Sequence, residues 1–283
     1  MTPDHLKSSG ITGIYMALED FVEYSVFKEK KDKKETSKPF LSCKGLLRNF
    51  VSIPSNNYIV LGVKRSAFCV KKPNNSEALR IMTPGGNQLI DIKDIVNFYE
   101  KLSADIIISP IDISNNVGNK QLNKMIERSK SWLKQLLENK NNSFIFASLP
   151  LASKELLSSY FLVLESNLSK IHGLALYNSE QSEIIPNSLA HLPLFLVEPI
   201  QSPHLILNCI ENSIDLFTID FISQCSNAGI ALTFQFPPSI STEKNKEPLG
   251  IDMQNEEHKT ALLPLLQECE FTKELLGYVL LQL

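Results

Sequence analysis

The sequence predicts an α/β fold, in which a (β/α) barrel follows a short β-rich N-terminal part and precedes a helical C-terminal extension. From about residue 88, helix-like segments of about 12 to 20 residues alternate with apolar runs of about five to eight residues. These runs lack polar alternation, which is typical of strands buried on both faces of a parallel sheet. No GxGxxG motif follows any run, so the pattern favours a barrel over a dinucleotide-binding fold.

Composition and charge indicate a globular chain without a global basic surface. With 283 residues, 43% hydrophobic and 21% charged, it is long enough for one large α/β domain or two small ones. A net charge of -3 means that any nucleic-acid contact must be local or supplied by a partner. The sequence has no apolar stretch of about 18 residues and no signal or transit pattern. Five scattered cysteines indicate reduced thiols, so we expect a cytoplasmic protein.

The segments before residue 88 are the least regular. The charged run Lys28–Pro39 has no apolar periodicity and predicts an exposed loop, with an RNA phosphate contact as the alternative. The runs NYIVLGVKR and SAFCVKK predict short strands, and TPGGNQ predicts a turn.

Hydrophobic periodicity predicts the elements that follow. The predicted helices are IDIKDIVNFYEKLSA, KQLNKMIERSKSWLKQLLENK, SKELLSSYFLVLESNLSK and SPHLILNCIENS. The predicted strands are DIIISPID, NSFIFASLP, IHGLALYN, IDLFTID and the closing GIALTFQF. After Phe236, PPSISTEKNKEPLGIDMQNEEHK predicts a long polar loop, followed by the helical stretches TALLPLLQECE and FTKELLGYVLLQL. The last stretch is strongly apolar and must pack on the body or on a partner.

Four blocks of this region follow the order of a known family. They are MIERSKSWLKQ, IHGLALYNSE, LPLFLVEPIQSPHLILNCIENSIDLF and NAGIALTF. In order and spacing they resemble the tRNA-guanine transglycosylase family, and within it the accessory subunits of the eukaryotic queuine tRNA-ribosyltransferase. The resemblance covers about residues 90–236 and implies an irregular (β/α)8 TIM-like barrel. It implies a single domain over 1–283, with an irregular part at 1–86, the best-matched barrel at 87–236, and a loop and helices at 237–283.

The resemblance implies a complex that exchanges guanine for queuine at the wobble position of tRNAs with GUN anticodons. Such an exchange needs a carboxylate nucleophile that attacks C1′ of the ribose and a second carboxyl group for proton transfer. In catalytic members the nucleophile is an aspartate directly after an Asp-Leu-Phe or Asp-Met-Phe triplet. Here the triplet is Asp215–Phe217, in which Asp215 is interpreted as structural, and the next residue is Thr218. A threonine hydroxyl with no evident base is a poor nucleophile, so the sequence predicts no catalytic residue there.

Two other aspartates are weak catalytic candidates. Asp220 would point to the same side of a strand as Thr218, but the two-residue step moves the carboxylate by about 6–7 Å. The alternative for Asp220 is a strand-end residue that caps a turn. Asp112 ends a strand-like run, where catalytic members have an aspartate that contacts the base, although its spacing from Asp105 is one residue longer. The alternative for Asp112 is a helix-capping or loop aspartate.

The backbone at the expected base pocket also departs from the catalytic pattern. Catalytic members follow a central strand with Val-Gln-Gly-Gly, whose glycines let the main chain approach the base. This chain has Ala147–Pro150 there, where a leucine adds bulk and a proline removes an N–H donor. The sequence therefore predicts no preformed purine pocket, and any cleft that persists should be lined by Asp112, Gly173 and Thr218.

The resemblance implies a zinc site whose ligands are largely absent here. The family carries a Cys-x-Cys-x2-Cys block completed by a later histidine. In this sequence LLQECE leads directly into FTKELLGYVLLQL, so Cys269 is a possible remnant and His258 lies before it. Because structural zinc needs about four ligands, we expect no zinc and no other cofactor in this chain. The zinc region helps to build the family's subunit interface, so the expectation of a dimer is weakened.

The ERSKSWLKQ helix allows two interpretations. A basic face that contacts RNA would consist of Arg128, Lys130, Trp132 and Lys134. A core-facing stripe at helical spacing would consist of Met125, Ser129, Trp132, Leu133 and Leu136. The sequence favours the stripe, since basic residues on an outer barrel helix are usually solvated.

Together these features favour a non-catalytic accessory subunit that forms a heterodimer with a catalytic queuine tRNA-ribosyltransferase subunit and reaches tRNA through that complex. One alternative is a base-exchange enzyme that uses Asp220 with Asp112. Another is a diverged barrel with an unrelated binding role. The resemblance also implies that this cytoplasmic protein can associate peripherally with the mitochondrial outer membrane.

Overall fold

A computed structural model shows two compact units. The structure describes residues 6, 11–21, 46–66, 73–83, 86–114, 117–139, 142–232, 250–255 and 257. The first unit comprises Met1–Pro199 and Pro203–Thr218, and the second comprises Ile200–Ser202 and Ile219–Leu283. Among the described residues, no helix combines the length and the apolar character that crossing a membrane requires.

A seven-stranded sheet organises the first unit. The strands in the described part of the chain are β1 (Gly13–Ala17), β2 (Tyr58–Gly62), β3 (Ala78–Thr83), β4 (Gly86–Asp91), β5 (Ile106–Ile108), β6 (Phe144–Ser148), β7 (Gly173–Leu176), β8 (Leu194–Ile200), β9 (Leu216–Ile219), β10 (Ile230–Leu232) and β11 (Gly250–Asp252). The sheet has the order β1-β2-β5-β6-β7-β8-β9, and its pairings from β1 through β8 are parallel. This confirms the predicted α/β fold.

Helices fill most of the connections between these strands. They are α1 (Leu46–Phe50), α2 (Ile92–Leu102), α3 (Asn119–Glu138), α4 (Lys154–Glu165), α5 (Pro203–Glu211) and α6 (Phe221–Asn227). The buried face of α3 consists of Met125, Ile126, Ser129, Trp132, Leu133, Leu136 and Leu137. Because these residues recur at helical spacing, the periodicity that predicted this helix also determines which face packs inward.

The sheet curls so that distant strands face each other. Tyr15 on β1 and Phe195 on β8 have ring centroids 6.1 Å apart. In a flat sheet these strands, five positions apart, would be separated by about 24 Å. One buried core lies on the inner face and consists of Val60, Ile108, Ile111, Ile113, Phe146, Ala175, Tyr177, Phe195 and Val197. A curled parallel sheet filled by side chains is the arrangement of a TIM-like barrel.

Two strands of the sheet, β1 and β8, are not predicted by the alternation of helices and apolar runs. The connection from β7 to β8 contains a short 3₁₀ helix, Ser179–Ile184, in place of an α-helix. The alternation of predicted helices and strands therefore does not reveal β8. The strand β1 has only five residues, and its partner β2 lies more than 40 residues further along the chain.

The prediction that GIALTFQF closes the parallel run was wrong. Its strand, β10, pairs antiparallel with β11 in a separate two-stranded sheet of the second unit. The strand β11 lies inside the segment predicted as a long polar loop, and its three residues are too few for periodicity to reveal.

A further group of predictions concerns residues outside the described part of the chain. It comprises the Lys28–Pro39 loop, most of the SAFCVKK run, the two C-terminal helical stretches, and His258 with Cys269. These stay predictions, as does the division at residues 86 and 236.

Candidate functional site

A buried hydrogen-bond network joins the C-terminal ends of β5, β6 and β7. The Ser148 N–H donates to Ser109 Oγ (2.8 Å), and the Ser148 hydroxyl donates to Ser109 O (2.6 Å). The same hydroxyl lies 3.1 Å from the Tyr177 hydroxyl. Gln181 donates to Leu149 O (2.9 Å) and accepts from the Tyr177 N–H (2.6 Å). Catalytic groups of barrel enzymes sit at this edge, so the network, Ser109 with Ser148, Tyr177 and Gln181, occupies the candidate site.

Tyrosine hydroxyls complete this network from the surrounding elements. Tyr160 on α4 donates to Ser148 O and Tyr99 on α2 donates to Ile108 O, each at 2.7 Å. Burial raises the pKa of Tyr99, Tyr160 and Tyr177, so these phenols stay protonated at neutral pH. A network whose donors and acceptors are satisfied is rigid, and its groups are not available to a ligand without rearrangement.

The space left at this edge is small. A cavity of about 20 Å³ is lined by residues that include Tyr15, Lys64, Ser109 and Tyr177. A water molecule needs at least about 10–15 Å³, so a cavity of this volume suits a single water. A purine base needs several times more space than this cavity provides.

The segment that follows β2 packs beside this cavity. The Arg65 N–H donates to Glu19 Oε1 (2.6 Å), and Arg65 Nε lies 2.5 Å from Asp20 Oδ1. The Ser66 hydroxyl donates to Glu198 Oε1 (3.0 Å) near the end of β8. Side-chain contacts therefore fix this segment to the ends of two other strands.

Glu19 and Glu198 are carboxylates that the sequence reasoning missed. Glu19 is 3% exposed, and its burial raises its pKa. The Oε2 atom of Glu198 is buried and accepts no hydrogen bond from the described residues. The available signal was an acidic residue directly after an apolar run, in YMALE and in LFLVE.

Thr218 connects two strands of the sheet. Its hydroxyl donates to Val197 O of β8 at 2.8 Å. A hydroxyl that donates to a backbone carbonyl is not held by a general base, and nucleophile activation requires such a base. Asp215 accepts from the Leu194 N–H at 2.8 Å and donates its own N–H to Leu194 O at 3.0 Å, which fits the structural role expected for it.

Asp112 is engaged on both carboxylate oxygens. Its Oδ1 accepts from Asn74 Nδ2 and its Oδ2 lies next to Arg128 Nη2, each at 2.6 Å. Its N–H donates to Ser129 Oγ at 3.0 Å. Asp112 is 4% exposed, so the structure places this catalytic candidate in a buried ion pair with α3.

The RSxxW segment of α3 is used for contacts within the chain. Trp132 Nε1 donates to Ser76 O at 2.8 Å, and Arg128 donates to Asn74 O at 3.3 Å. Lys130 forms an ion pair with Glu127 on the same helix. Lys134 is exposed. The predicted core-facing stripe is therefore confirmed, and three of the four residues of the alternative RNA face, Arg128, Lys130 and Trp132, make contacts within the chain.

The expectation that Gly173 lines a cleft with Asp112 and Thr218 was wrong. Gly173 begins β7 and therefore lies at the N-terminal end of that strand, away from Tyr177. A Cβ atom there would lie 2.5 Å from the Phe146 ring. Glycine is needed at position 173 because the Phe146 ring packs against it, and not because a base approaches the main chain there.

Replacing Gly173 by alanine is expected to lower the free energy of unfolding by about 1–3 kcal/mol, because the methyl group overpacks against Phe146. Urea denaturation of Gly173→Ala, Phe146→Leu and the double variant measures the coupling. We expect the glycine substitution to cost less in the Phe146→Leu background. Equal costs in both backgrounds would show that the ring is not the obstacle.

Asp220, in the second unit, directly precedes α6. Its Oδ2 accepts from Gln224 Nε2 at 2.8 Å, and its side chain makes no hydrogen bond that caps the helix. Asp220 thus lies at the strand end, as the turn-capping interpretation predicts. Its carboxylate, however, accepts from the side chain of Gln224, one turn along α6, and not from a backbone N–H.

The described residues include no group of three or more His, Cys, Asp or Glu side chains arranged to hold a metal ion. Cys209 and Cys225 are free thiols. The single cysteine of the predicted zinc remnant, Cys269, lies outside the described part, so the expected lack of zinc stays a prediction.

The fold and the site define an α/β-barrel protein whose candidate site carries no nucleophilic carboxylate directly after the Asp215–Phe217 triplet. Comparison with known proteins supplies the family. The chain belongs to the queuine tRNA-ribosyltransferase family, whose model matches residues 4–272. This confirms the resemblance carried by the four sequence blocks.

A curated relative supports the same assignment. The chain is similar to the queuine tRNA-ribosyltransferase accessory subunit 2 of Schizosaccharomyces pombe, with 29% identity over 279 residues. The aligned part covers 95% of this chain and 60% of that relative. The chain thus spans about three-fifths of the length of the curated relative it matches.

Proposed function

We propose that this chain is a non-catalytic accessory subunit of a heteromeric queuine tRNA-ribosyltransferase. A catalytic partner subunit exchanges guanine for queuine at the wobble position of tRNAs with GUN anticodons, and this chain reaches tRNA within the heterodimer. The observation that carries the proposal is Thr218, which stands where a nucleophilic aspartate would be needed and donates its hydroxyl to Val197 O.

The filled edge of the barrel supports the same proposal. Ser148, Tyr177 and Gln181 satisfy one another's polar groups where a base would have to enter. The cavity beside them, about 20 Å³, suits a water molecule. The name of the fission-yeast relative, an accessory subunit, agrees with a chain that assists exchange without performing it.

The alternative enzyme that uses Asp220 with Asp112 is less well supported. Asp112 is held by Arg128 at 2.6 Å, and Asp220 accepts from Gln224 at 2.8 Å. A nucleophilic carboxylate must be free to approach C1′ within about 3–3.5 Å. We therefore assign neither aspartate a catalytic role.

The proposed subunit works without a resident metal. Cys269 supplies one plausible thiolate, which does not fit the four-ligand zinc site of the family. We propose a cytoplasmic complex that can associate peripherally with the mitochondrial outer membrane.

A purified base-exchange assay tests this proposal. Incorporation of labelled queuine into a GUN-anticodon tRNA is measured with this chain alone, with a catalytic subunit alone, and with both. We expect no exchange by this chain alone and faster exchange with both than with the catalytic subunit alone. Exchange by this chain alone would overturn the proposal.

Two variants and a binding measurement complete the assay. Asp220→Asn should leave the exchange by the mixture unchanged, because its carboxylate contacts only Gln224 in the described structure. Thr218→Asp should not give activity to the isolated chain, because the base site remains filled. Failure of the two chains to co-elute, with no gain in exchange, would favour a diverged barrel with another binding role.

A further inference from the structure

The β3–β4 hairpin has one face packed against the protein and one face turned toward solvent. The packed face consists of Leu79, Ile81, Thr83, Gln88 and Ile90. On the other face Arg80 lies opposite Leu89, and Met82 lies opposite Asn87. Met82 is 37% exposed and Leu89 is 41% exposed, so this face combines a basic side chain with two exposed apolar ones.

Arg80 differs from the other arginines of the chain. The sequence contains four arginines. Three of them form ion pairs, Arg48 with Asp105, Arg65 with Asp20 and Arg128 with Asp112. Within the described residues Arg80 has no carboxylate partner, and its Nε is buried without an acceptor. The Arg128 Nε is buried without an acceptor as well, so what distinguishes Arg80 is a half-buried guanidinium without a counter-charge among the described residues, and an external anion would supply that charge.

The backbone around Arg80 is firmly held. Its N–H donates to Asn74 Oδ1 at 2.7 Å, and Asn74 in turn donates to Asp112 Oδ1 at 2.6 Å. Two residues further along β3, the Met82 N–H donates to Glu19 Oε2 at 3.3 Å. These contacts fix the strand that carries the guanidinium, so little ordering is required when an anion binds.

We propose that Arg80 binds a phosphodiester group of RNA, with Met82 and Leu89 against the adjoining ribose or base. A guanidinium presents its N–H groups in a fork that matches phosphate oxygens. A site for an inorganic anion would not need exposed apolar side chains beside the arginine. The ribose or base of a nucleotide has an apolar surface that can pack on Met82 and Leu89. Because the net charge of the chain is -3, such a contact has to be local, as one unpaired arginine provides. The choice of tRNA as the RNA rests on the proposed function.

Fluorescence anisotropy with a labelled GUN-anticodon tRNA tests the site on the full chain without a catalytic subunit. We expect Arg80→Ala to weaken tRNA binding by about tenfold at low salt, since a charge-assisted contact is lost. The slope of log K against log salt should fall by about 0.7–0.9, the value for one phosphate contact. Arg80→Lys should show an intermediate loss, because it keeps the charge and loses the fork.

The matched control is Lys134→Ala, which removes an exposed basic residue from α3 and should change the affinity by less than about twofold. Thermal unfolding of each variant verifies that the fold is intact, and Arg80→Lys provides the comparison if the alanine variant does not fold. Unchanged affinity and salt slope in the Arg80 variants, or no tRNA binding by the wild-type chain, would overturn the proposal.

Competition experiments distinguish RNA from free phosphate or a free nucleotide as the ligand of Arg80. Inorganic phosphate and GMP, added at the phosphate concentration of the tRNA, should not displace it. Displacement by either would assign Arg80 to a free phosphate or nucleotide and overturn the RNA assignment. Since no catalytic subunit is present, this result is independent of the exchange assay, and either proposal can fail while the other stands.

Discussion

Replacement of Trp132 by alanine is expected to lower the free energy of unfolding by about 3–5 kcal/mol, the range for removing a large aromatic side chain from a core. Trp132 is fully buried on α3, and its indole N–H donates to Ser76 O at 2.8 Å. The substitution therefore creates a cavity and also leaves a carbonyl without its donor. Urea denaturation followed by circular dichroism measures the change.

Two further variants separate packing from hydrogen bonding at this position. Trp132→Phe keeps most of the ring volume and loses the N–H, so we expect a clearly smaller loss than for alanine. Lys134→Ala, two residues along the same helix and exposed, should change stability by less than about 0.5 kcal/mol. A small effect of Trp132→Ala, together with a large loss of tRNA binding, would favour the RNA face over the buried stripe.

Replacement of Asp112 by alanine is expected to lower the free energy of unfolding by about 3 kcal/mol, near the lower end of the range for breaking a buried ion pair from one side. The Asp112 side chain is 4% exposed and that of Arg128 is 20% exposed, so the arginine would be left largely buried without its counter-charge. Asn74 would lose its acceptor at the same time. Chemical denaturation at neutral pH measures the loss.

The companion variant Asp112→Asn tests the origin of the effect. It keeps the side-chain shape and one acceptor oxygen but removes the charge, so an intermediate loss is expected. Removing both charges with Asp112→Asn and Arg128→Met should cost less than the sum of the single changes. A stable Asp112→Asn variant that abolishes exchange by the proposed heterodimer would assign Asp112 to the chemistry and contradict its structural role.

Asp112 and Glu198 show why residue type and position in the sequence do not settle the function of a carboxylate. Asp112 sits near the C-terminal end of a barrel strand, where catalytic carboxylates are found, yet its oxygens are taken by Asn74 and Arg128. The partners lie 38 and 16 positions away in sequence, and Arg128 reaches Asp112 through the crossover helix α3 while Asn74 reaches it from the segment before β3. Glu198 shows the opposite case, since the sequence offers no strong reason to single out this half-buried carboxylate, which accepts from Ser66 across 132 positions.

The filled edge of the barrel gives a physical account of how a catalytic scaffold could take the accessory role proposed for this chain. Side chains of Ser148, Tyr177 and Gln181 hydrogen-bond to one another and to the backbone where an open pocket would expose them to a base. A fully satisfied network of this kind stabilises one arrangement of the surrounding strands. The chain can then present a fixed outer surface, including the β3–β4 hairpin, to other molecules.

The sequence by itself determined the α/β class, the inner face of α3 and the threonine after the Asp215–Phe217 triplet, because these depend on local periodicity and on residue order. The tertiary structure alone decided the curl that brings Tyr15 to Phe195, the ring that requires glycine at Gly173, and the pairing of β10 with β11. Each of these depends on contacts between residues far apart in the chain, and such contacts are set by packing of the whole sheet. Local sequence patterns do not reveal how the whole sheet packs.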